Sequence, residues 1–356
     1  MFNVEPNRIL IIKPSSLGDI IHALPALAAL RSRFPDAWIT WLIKKEWAEI
    51  LDGNPNLNEV LSVNFGVMQW PSLIHTLRRK NFDLVIDLQG LLRSAFLAKL
   101  SGAPIVVGFA KGREGSSWFY SHRVTLPIPK GKSWRLWDMH AVDRNLFVAK
   151  YLGASLTAPQ FWLPNHDHDR KIICEWLRES GVKESDRLVA MAPMTRQAIK
   201  NWPVERFIQV AQSLVKFDQV KVLLIGTKDM EVSKLFERVL GVRLVNFMGK
   251  TRVRQLSAVF DRVRLLIAND SAPLHIAVAR GTPIVTIFGP TNPKAMGPYG
   301  FQYAPNLLTY SLPCRPCGER VCRNAKPLEC LTSISIQEVL RRAEDILFSR
   351  DAQMND

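Results

Sequence analysis

The chain has 356 residues, 47% hydrophobic and 22% charged, with a formal net charge of +15. That apolar content excludes a mainly disordered chain, and the length asks for two domains, because single cores stop growing near about 250–300 residues. The basic excess points to an anionic partner (nucleic acid, a phosphorylated lipid surface or a phosphorylated small substrate), with a solvated basic face as the alternative.

Short Val/Ile/Leu runs alternate with segments of helical period in two series, the pattern of βαβ units and parallel sheets. The first series predicts a strand over Arg8–Lys13, a short loop, and a helix from Ile20 to about Arg33. Strands near Trp38–Ile43, Glu59–Val63, Asp83–Asp87 and Ile105–Val107 follow, with helical segments between them, and Met139–Leu152 closes this half. Residues 153–168 contain proline, lack periodicity and read as a linker.

The second series opens with a helix at about Asp169–Ser180. Strands are expected near Leu188–Ala192, Val220–Ile225, Arg243–Asn246, Leu265–Ala268 and Ile284–Phe288. Helices are expected near Val204–Lys216, Asp229–Leu240, Arg252–Phe260 and Ala272–Ala279, with a last one at Ile336–Phe348. The expected division is 1–160, 161–335 and a C-terminal helix and tail, 336–356. Two doubly wound α/β domains imply a cleft, because such sheets bind ligands at their carboxyl ends.

No stretch reads as a membrane span. Ile20–Leu30 carries His22 and Pro25 and is shorter than the roughly 18 residues needed, and the uncharged Ala295–Cys314 is broken by Pro and Gly. Met1–Lys13 has none of the features of a secretory signal, so the expected location is cytoplasmic. The charge is uneven. Residues 78–135 hold 11 Lys+Arg against Asp83, Asp87 and Glu114, which accounts for the whole basic excess of the N-terminal half.

Several motifs fail on inspection. Gly131-Lys132-Ser133 and Gly249-Lys250-Thr251 resemble P-loop endings, but Leu126 and Leu244 stand where the first glycine belongs. No G-x-G-x-x-G follows the first strand. Asp167-His168-Asp169 mimics a metal-binding Asp-x-Asp, yet its place at a helix start reads as an N-cap.

Three strand-to-helix loops carry more. Lys13-Pro14-Ser15-Ser16-Leu17-Gly18-Asp19 ends a strand and opens a helix, where backbone N–H groups favour anions. Asp19 either caps that helix or acts as a general base at the top of the sheet. The loop from Met191 to Pro203 offers Thr195, Arg196 and Lys200, a hydroxyl and two cations suited to a diphosphate, or else a solvated loop. Asn269-Asp270-Ser271-Ala272-Pro273-Leu274-His275 brings a cap at Asp270 or Ser271 and N–H donors for a phosphate, with His275 one turn in. Gly289-Pro290-Thr291-Asn292-Pro293 forms another tight loop at the same edge.

Four of the five cysteines cluster as Cys314-x2-Cys317-x4-Cys322-x7-Cys330, and Cys174 is expected to be buried packing. Clustered thiols in a cytoplasmic chain raise a structural zinc or iron–sulfur site, against free or redox-labile thiols. Either way they staple a loop before the last helix.

Taken together, ILIIKPSSLGDIIHALPAL, VIDLQGLLRSAFLAKLSGA and NDSAPLHIAVARGTPIVTIFGPTNP resemble the ADP-heptose:lipopolysaccharide heptosyltransferases of glycosyltransferase family 9. REGSSWFYSHRV and HAVDRNLFVAKYLG look most like the heptosyltransferase I branch, which adds the first heptose to the Kdo region of lipid A. The resemblance runs from about Arg8 to beyond Tyr299. It implies a GT-B fold of two Rossmann-like domains across a cleft, the first taking the acceptor and the second ADP-heptose, with no required cofactor or metal.

On this resemblance Asp19 is the general base and Lys200 binds the diphosphate, with Thr195 and Arg196 in the same donor loop. Glu231 takes the ribose hydroxyls, and Asp270, Ser271, Ala272 and His275 match the family's Asp-Thr-Gly…His loop. Lys13, Ser15, Ser16, Arg113 and Arg123 are the expected acceptor contacts, the partner being Kdo-lipid A at the inner face of the cytoplasmic membrane. Ser271 and Ala272 depart from the family's Thr and Gly, Arg196 stands where a hydroxyl residue can occur, and the four-cysteine segment belongs to only some relatives. Seven of the ten tryptophans precede residue 138, some expected at the acyl region or bilayer interface and most in the core. Two other readings remain: a GT-B sugar-nucleotide epimerase, and a basic nucleic-acid-binding protein supported by charge alone.

Overall fold

The computed structural model describes residues 4–348 apart from 65, 67, 68, 128–138 and 157. Gly131-Lys132-Ser133, the basic residues Lys130, Lys132 and Arg135, two of the early tryptophans (Trp134 and Trp137) and the tail after Phe348 lie outside the described residues. The chain divides into two compact units, Met1–Pro164 and Asn165–Asp356.

Unit 1 is built from β1 (Arg8–Ile12), α1 (Leu17–Ile21), α2 (Leu24–Arg33), β2 (Trp38–Lys44), β3 (Glu59–Val63), α3 (Trp70–Arg79), β4 (Leu84–Asp87), α4 (Leu92–Leu100), β5 (Ile105–Phe109), β6 (His122–Val124) and α5 (Ala141–Tyr151). Its six strands are all parallel, in the order β3-β2-β1-β4-β5-β6. Central strands covered on both faces read as unbroken apolar runs, and Ile9–Ile12 and Leu84–Ile86 are fully buried.

The helix expected from Ile20 to Arg33 is two helices. Pro25, at the start of α2, has no N–H to give the carbonyl of Ile21, so α1 ends and α2 restarts after Ala23. The chain also enters α1 three residues earlier than expected, with Ser16 as N-cap.

Unit 2 contains α6 (Asp167–Glu179), β7 (Arg187–Ala192), α7 (Val204–Leu214), β8 (Val220–Leu224), α8 (Met230–Leu240), β9 (Leu244–Asn246), α9 (Gln255–Arg262), β10 (Leu265–Asn269), α10 (Ala272–Ala279), β11 (Ile284–Phe288), α11 (Pro293–Met296), β12 (Leu307–Thr309), α12 (Glu329–Thr332) and α13 (Ile336–Phe348). Its parallel sheet runs β12-β11-β10-β7-β8-β9, the strand order of unit 1 repeated. Val339, Ala343 and Leu347, four residues apart on α13, are buried in the same core as Val189, Met191, Ile267 and Val285, so α13 covers one face of this sheet.

Two local expectations are corrected. Asp167 and Asp169 do not cap α6, which begins after His166; Asp169 is buried and ion-paired with Arg254 on the neighbouring segment at 3.0 Å, so it binds helix to helix. Cys174, on the same helix, is exposed rather than packed inside.

Both sheets reverse direction between their first and fourth strands, β1 beside β4 and β7 beside β10. In open α/β sheets that crevice, at the carboxyl ends, is where ligands bind. The loops after β1, β4, β7 and β10 are therefore the ones that matter.

Candidate active site

The loop after β1 turns at Ser16 into α1, which places Asp19 at the third helical position. The Asp19 Oδ2 accepts hydrogen bonds from the Ser16 backbone N–H at 3.1 Å and from the Ser16 hydroxyl at 2.6 Å. The capping position thus belongs to Ser16, with Asp19 reaching back to it. Partial burial pushes the Asp19 carboxyl up, but Lys13, the two bonds from Ser16 and Arg144 together outweigh it and hold the group below the ordinary carboxylate range. A carboxylate at the head of a sheet that stays ionised can accept a proton.

Lys13 lies under this loop. Its side chain is buried, donates to the Leu88 carbonyl at 3.0 Å, and is pulled down by burial while Asp19 and Asp87 hold it up. The indole N–H of Trp41 donates to the Lys13 carbonyl at 3.1 Å. Lys13 is therefore enclosed rather than presented at the surface, and acts on Asp19 as a fixed positive charge. Arg144, on the first turn of α5, is drawn down by burial and by Arg113 and held up by Asp19, which places the three charges in one field.

The residue paired with Ile12 across the sheet is Asp87, at the end of β4. It is fully buried and accepts four hydrogen bonds: from the N–H groups of Gln89 at 2.9 Å and Gly90 at 3.1 Å, from the Ser94 hydroxyl at 2.8 Å, and from the Tyr120 hydroxyl at 2.7 Å. Burial nevertheless pushes its carboxyl up. Burial and the neighbouring Asp87 charge also push the Tyr120 phenol well above its usual value. The Gly90 carbonyl in turn accepts from the Arg113 backbone N–H at 2.9 Å and the Ser116 hydroxyl at 3.2 Å. Asp87 thus organises the loop that carries the Lys13 acceptor, Leu88, and the turn that presents Arg113. Arg113 and Arg123 are exposed, as is Ser16, while Ser15 is half-buried.

In unit 2 the loop after β7 is folded on itself. The Thr195 N–H donates to the Asn201 Oδ1 at 2.9 Å, and the Thr195 hydroxyl donates to the Gln197 carbonyl at 2.8 Å while accepting the Gln197 N–H at 3.1 Å. Thr195 therefore shapes the loop with its own hydroxyl. Arg196 is exposed beside it. The next strand fixes the loop through Asn269, fully buried at the end of β10: its amide donates to the Pro193 carbonyl at 2.6 Å and its oxygen accepts the Trp202 N–H at 3.0 Å.

The Lys200 ammonium donates to Asp270 Oδ2 at 2.7 Å, and His275 Nε2 lies 3.9 Å from Asp270 Oδ1. Asp270 and His275 are buried, and Lys200 is part-exposed. Ser271, rather than Asp270, is the N-cap of α10, its side chain makes no capping bond, and its buried hydroxyl has no partner among the described residues. The first turn, Ala272 and Pro273, follows it directly. A cation and a helix N-terminus thus meet at one strand end, a setting for a diphosphate.

Glu231 is exposed on the first turn of α8, behind the cap Asp229, which accepts the N–H groups of Glu231 and Val232, both at 3.1 Å. Because β8 lies parallel beside β7, this loop opens at the same edge of the sheet. The Gly289–Pro293 loop also ends there, with the Asn292 Oδ1 accepting the Lys294 N–H at 3.0 Å.

The cysteines carry no part of this geometry. Cys314 is exposed, Cys317 and Cys322 are half-buried, Cys330 is buried, and all are free thiols. Burial pushes the Cys330 thiol up although Arg315 pulls it down. No group of three or more His, Cys, Asp or Glu side chains among the described residues is placed to hold a metal ion.

Asp87 and Arg144 join the candidate site without standing in any of the three loops that the sequence singles out. The signal for Asp87 was a carboxylate closing an otherwise apolar strand, which is costly unless satisfied.

The model of the family "Glycosyltransferase family 9 (heptosyltransferase)" matches residues 70–327. Lipopolysaccharide heptosyltransferase 3 of Escherichia coli K12 is 30% identical over 286 residues, covering 77% of this chain and 80% of that one. Lipopolysaccharide heptosyltransferase 1 of Pseudomonas aeruginosa is 26% identical over 370 residues, covering 96% and 98%. Among solved structures, E. coli heptosyltransferase WaaC with ADP superposes with a TM-score of 0.71 at 23% identity, covering 95% of this chain and 99% of that one. The paired six-stranded parallel sheets are those of the GT-B fold.

Proposed function

The chain belongs to glycosyltransferase family 9, the heptosyltransferases, and from that premise we propose that it transfers a heptose from ADP-heptose to the Kdo region of a lipid A-linked acceptor, inverting the anomeric carbon. The observation that carries this reading is the placement of Asp19: an ionised carboxylate in the first turn of the helix entered from the loop at the reversal point of one sheet, with Lys200 on the corresponding loop of the other. The matched structure with ADP supports a nucleotide donor.

In this mechanism Asp19 takes the proton from the acceptor hydroxyl as its oxygen attacks the anomeric carbon. The bond from that carbon to the ADP oxygen breaks on the opposite face, so one displacement inverts the centre and leaves no sugar on the enzyme. The charge developing on ADP is met by Lys200 and by the N-terminal turn of α10, groups already fixed before the reaction. Asp270 holds the Lys200 ammonium at the strand end, and His275 stands on the other side of Asp270. Arg196 adds a cation to the donor loop, and Glu231 takes the ribose hydroxyls.

Ser15, Ser16, Arg113 and Arg123 face the anionic acceptor, while Lys13 and Arg144 keep Asp19 ionised. The acceptor being a lipid, the enzyme works at the inner face of the cytoplasmic membrane. Among the described residues no helix is long and apolar enough to cross a membrane. Unit 1 serves the acceptor and unit 2 the donor, with α13 counted in the donor unit.

The test is incubation with ADP-heptose and Kdo-lipid A, reading ADP release and acceptor mass together. Stoichiometric ADP and an acceptor heavier by one heptose residue support the proposal. Product from the nucleotide sugar alone supports an epimerase of the same fold instead.

A further inference from the structure

The surface of unit 1 carries an apolar face that its core does not use. On α4, Ser94, Ala95, Leu97 and Ala98 are buried, while Leu92, Arg93, Phe96 and Lys99 are exposed. Solvent-facing positions of a surface helix are normally polar, so Leu92 and Phe96 stand out. Phe96 packs edge-on to Phe119 at 5.7 Å between ring centres and lies 6.2 Å from Trp70, which extends the aromatic surface to α3 and to the turn before β6. In that turn Trp118 is 80% exposed, the most exposed aromatic side chain of the described residues.

Cations stand on the same helix and in the turn region that carries Trp118. Arg93, Lys99, Lys111 and Arg113 are all exposed. The acid among them, Glu114, accepts the Leu92 N–H at 3.3 Å and so is held at the start of α4. The turn itself is anchored to Gly90, on the loop organised by Asp87, which places the face next to the edge of the sheet that bears Asp19.

We propose that Leu92, Phe96 and Trp118, with Arg93 and Lys99, form the docking surface for a lipid bilayer carrying anionic headgroups. An exposed indole with an apolar body and a polar N–H suits the interface of a bilayer, and cations beside it are drawn to its negative surface. A soluble polyanion would account for the cations and leave the leucine and phenylalanine unexplained. The proposal deepens the reading of a lipid-borne acceptor and rests on it: the face brings unit 1 to the membrane with its acceptor edge alongside.

The test is co-sedimentation of the full chain with vesicles of phosphatidylcholine alone and of phosphatidylcholine mixed with phosphatidylglycerol, without donor or acceptor. The expected result is binding to the mixed vesicles that weakens with salt. Trp118→Ala and Phe96→Ser should each weaken it about tenfold, and Arg93→Ala about fivefold. Turnover of ADP-heptose with a deacylated, water-soluble acceptor should stay at the wild-type level in all three, which also reports that they fold. Equal binding of wild type and Trp118→Ala, absence of binding to the mixed vesicles, or equal binding to both vesicle types overturns the proposal. Vesicle binding is read without substrates and transfer without vesicles, so failure of one does not imply failure of the other.

Discussion

The Lys200 ammonium and the Asp270 carboxylate form an ion pair at 2.7 Å that ties together the loops following two adjacent strands of the second sheet. Asp270 is almost enclosed, so the pair fixes where the ammonium stands. Lys200→Ala removes the cation proposed to meet the departing diphosphate and should lower kcat/KM by about 100-fold or more. Asp270→Asn keeps the shape and leaves the ammonium free to move, so its loss should be smaller and appear mainly as a raised KM for the donor. Steady-state kinetics varying ADP-heptose separate the two.

Ser16 gives Asp19 two hydrogen bonds, one from the backbone and one from the hydroxyl. Ser16→Ala deletes the second, and a carboxylate that loses a donor becomes easier to protonate. The Asp19 carboxyl lies below the ordinary range in the folded protein, so the acid limb of the wild-type pH profile should fall below that range as well. In Ser16→Ala the limb should move to higher pH, and Ser16→Thr should restore it. An unchanged limb in the alanine variant would mean that another group titrates there.

Asp87 permits a sharper comparison. Asp87→Asn retains an oxygen for the Gln89 and Gly90 N–H groups, and its amide can donate to the Ser94 and Tyr120 hydroxyls. Asp87→Leu takes the acceptor from the Gln89 and Gly90 N–H groups and from the Tyr120 hydroxyl, while the Ser94 hydroxyl keeps the Leu91 carbonyl, and should cost about 3 kcal/mol or more in urea unfolding. Folding raises the Asp87 pKa, so ionisation costs stability. The contribution of the carboxyl is fully present below its unfolded value and is lost as pH rises through its folded one. Wild type should therefore lose stability relative to Asp87→Asn across that rise, read from urea melts at several pH values.

Gly108 explains why Tyr120 can reach Asp87. A Cβ at position 108 would stand 2.4 Å from the tyrosine ring, too close for any side chain. Gly108→Ala should push the ring away, break the bond to Asp87 and lower the thermal midpoint. Combined with Tyr120→Leu it should cost less than the sum of the two single changes, because they act through one contact.

Much of this arrangement was legible before the structure. Asp19, Lys200 and Asp270 each sit in, or one turn beyond, a connection between an apolar run and a helical one, and local sequence marks such connections well. For Asp87 the nearby partners Gln89, Gly90 and Ser94 mark only a turn, and the phenol that completes its surroundings, Tyr120, lies 33 residues on; Arg144 shares the field of Asp19 only once α5 has packed against the rest of unit 1. The setting of Lys13 is likewise not readable from its neighbours in sequence, because the Leu88 carbonyl to which its ammonium donates lies 75 residues on.

The edge strands β6 and β12, three residues each, are not among the expected strands, although the equally short β9 is. The break between α1 and α2 was overlooked although Pro25 marked it.

The most direct test is single-turnover heptose transfer from ADP-heptose to Kdo-lipid A by Asp19→Asn, with donor affinity measured by calorimetry on the same sample. The variant keeps the size of the side chain and removes its basicity. Transfer slowed about 100- to 10,000-fold with donor affinity unchanged is the predicted result. Transfer at the wild-type rate would contradict the assignment of Asp19 as the base.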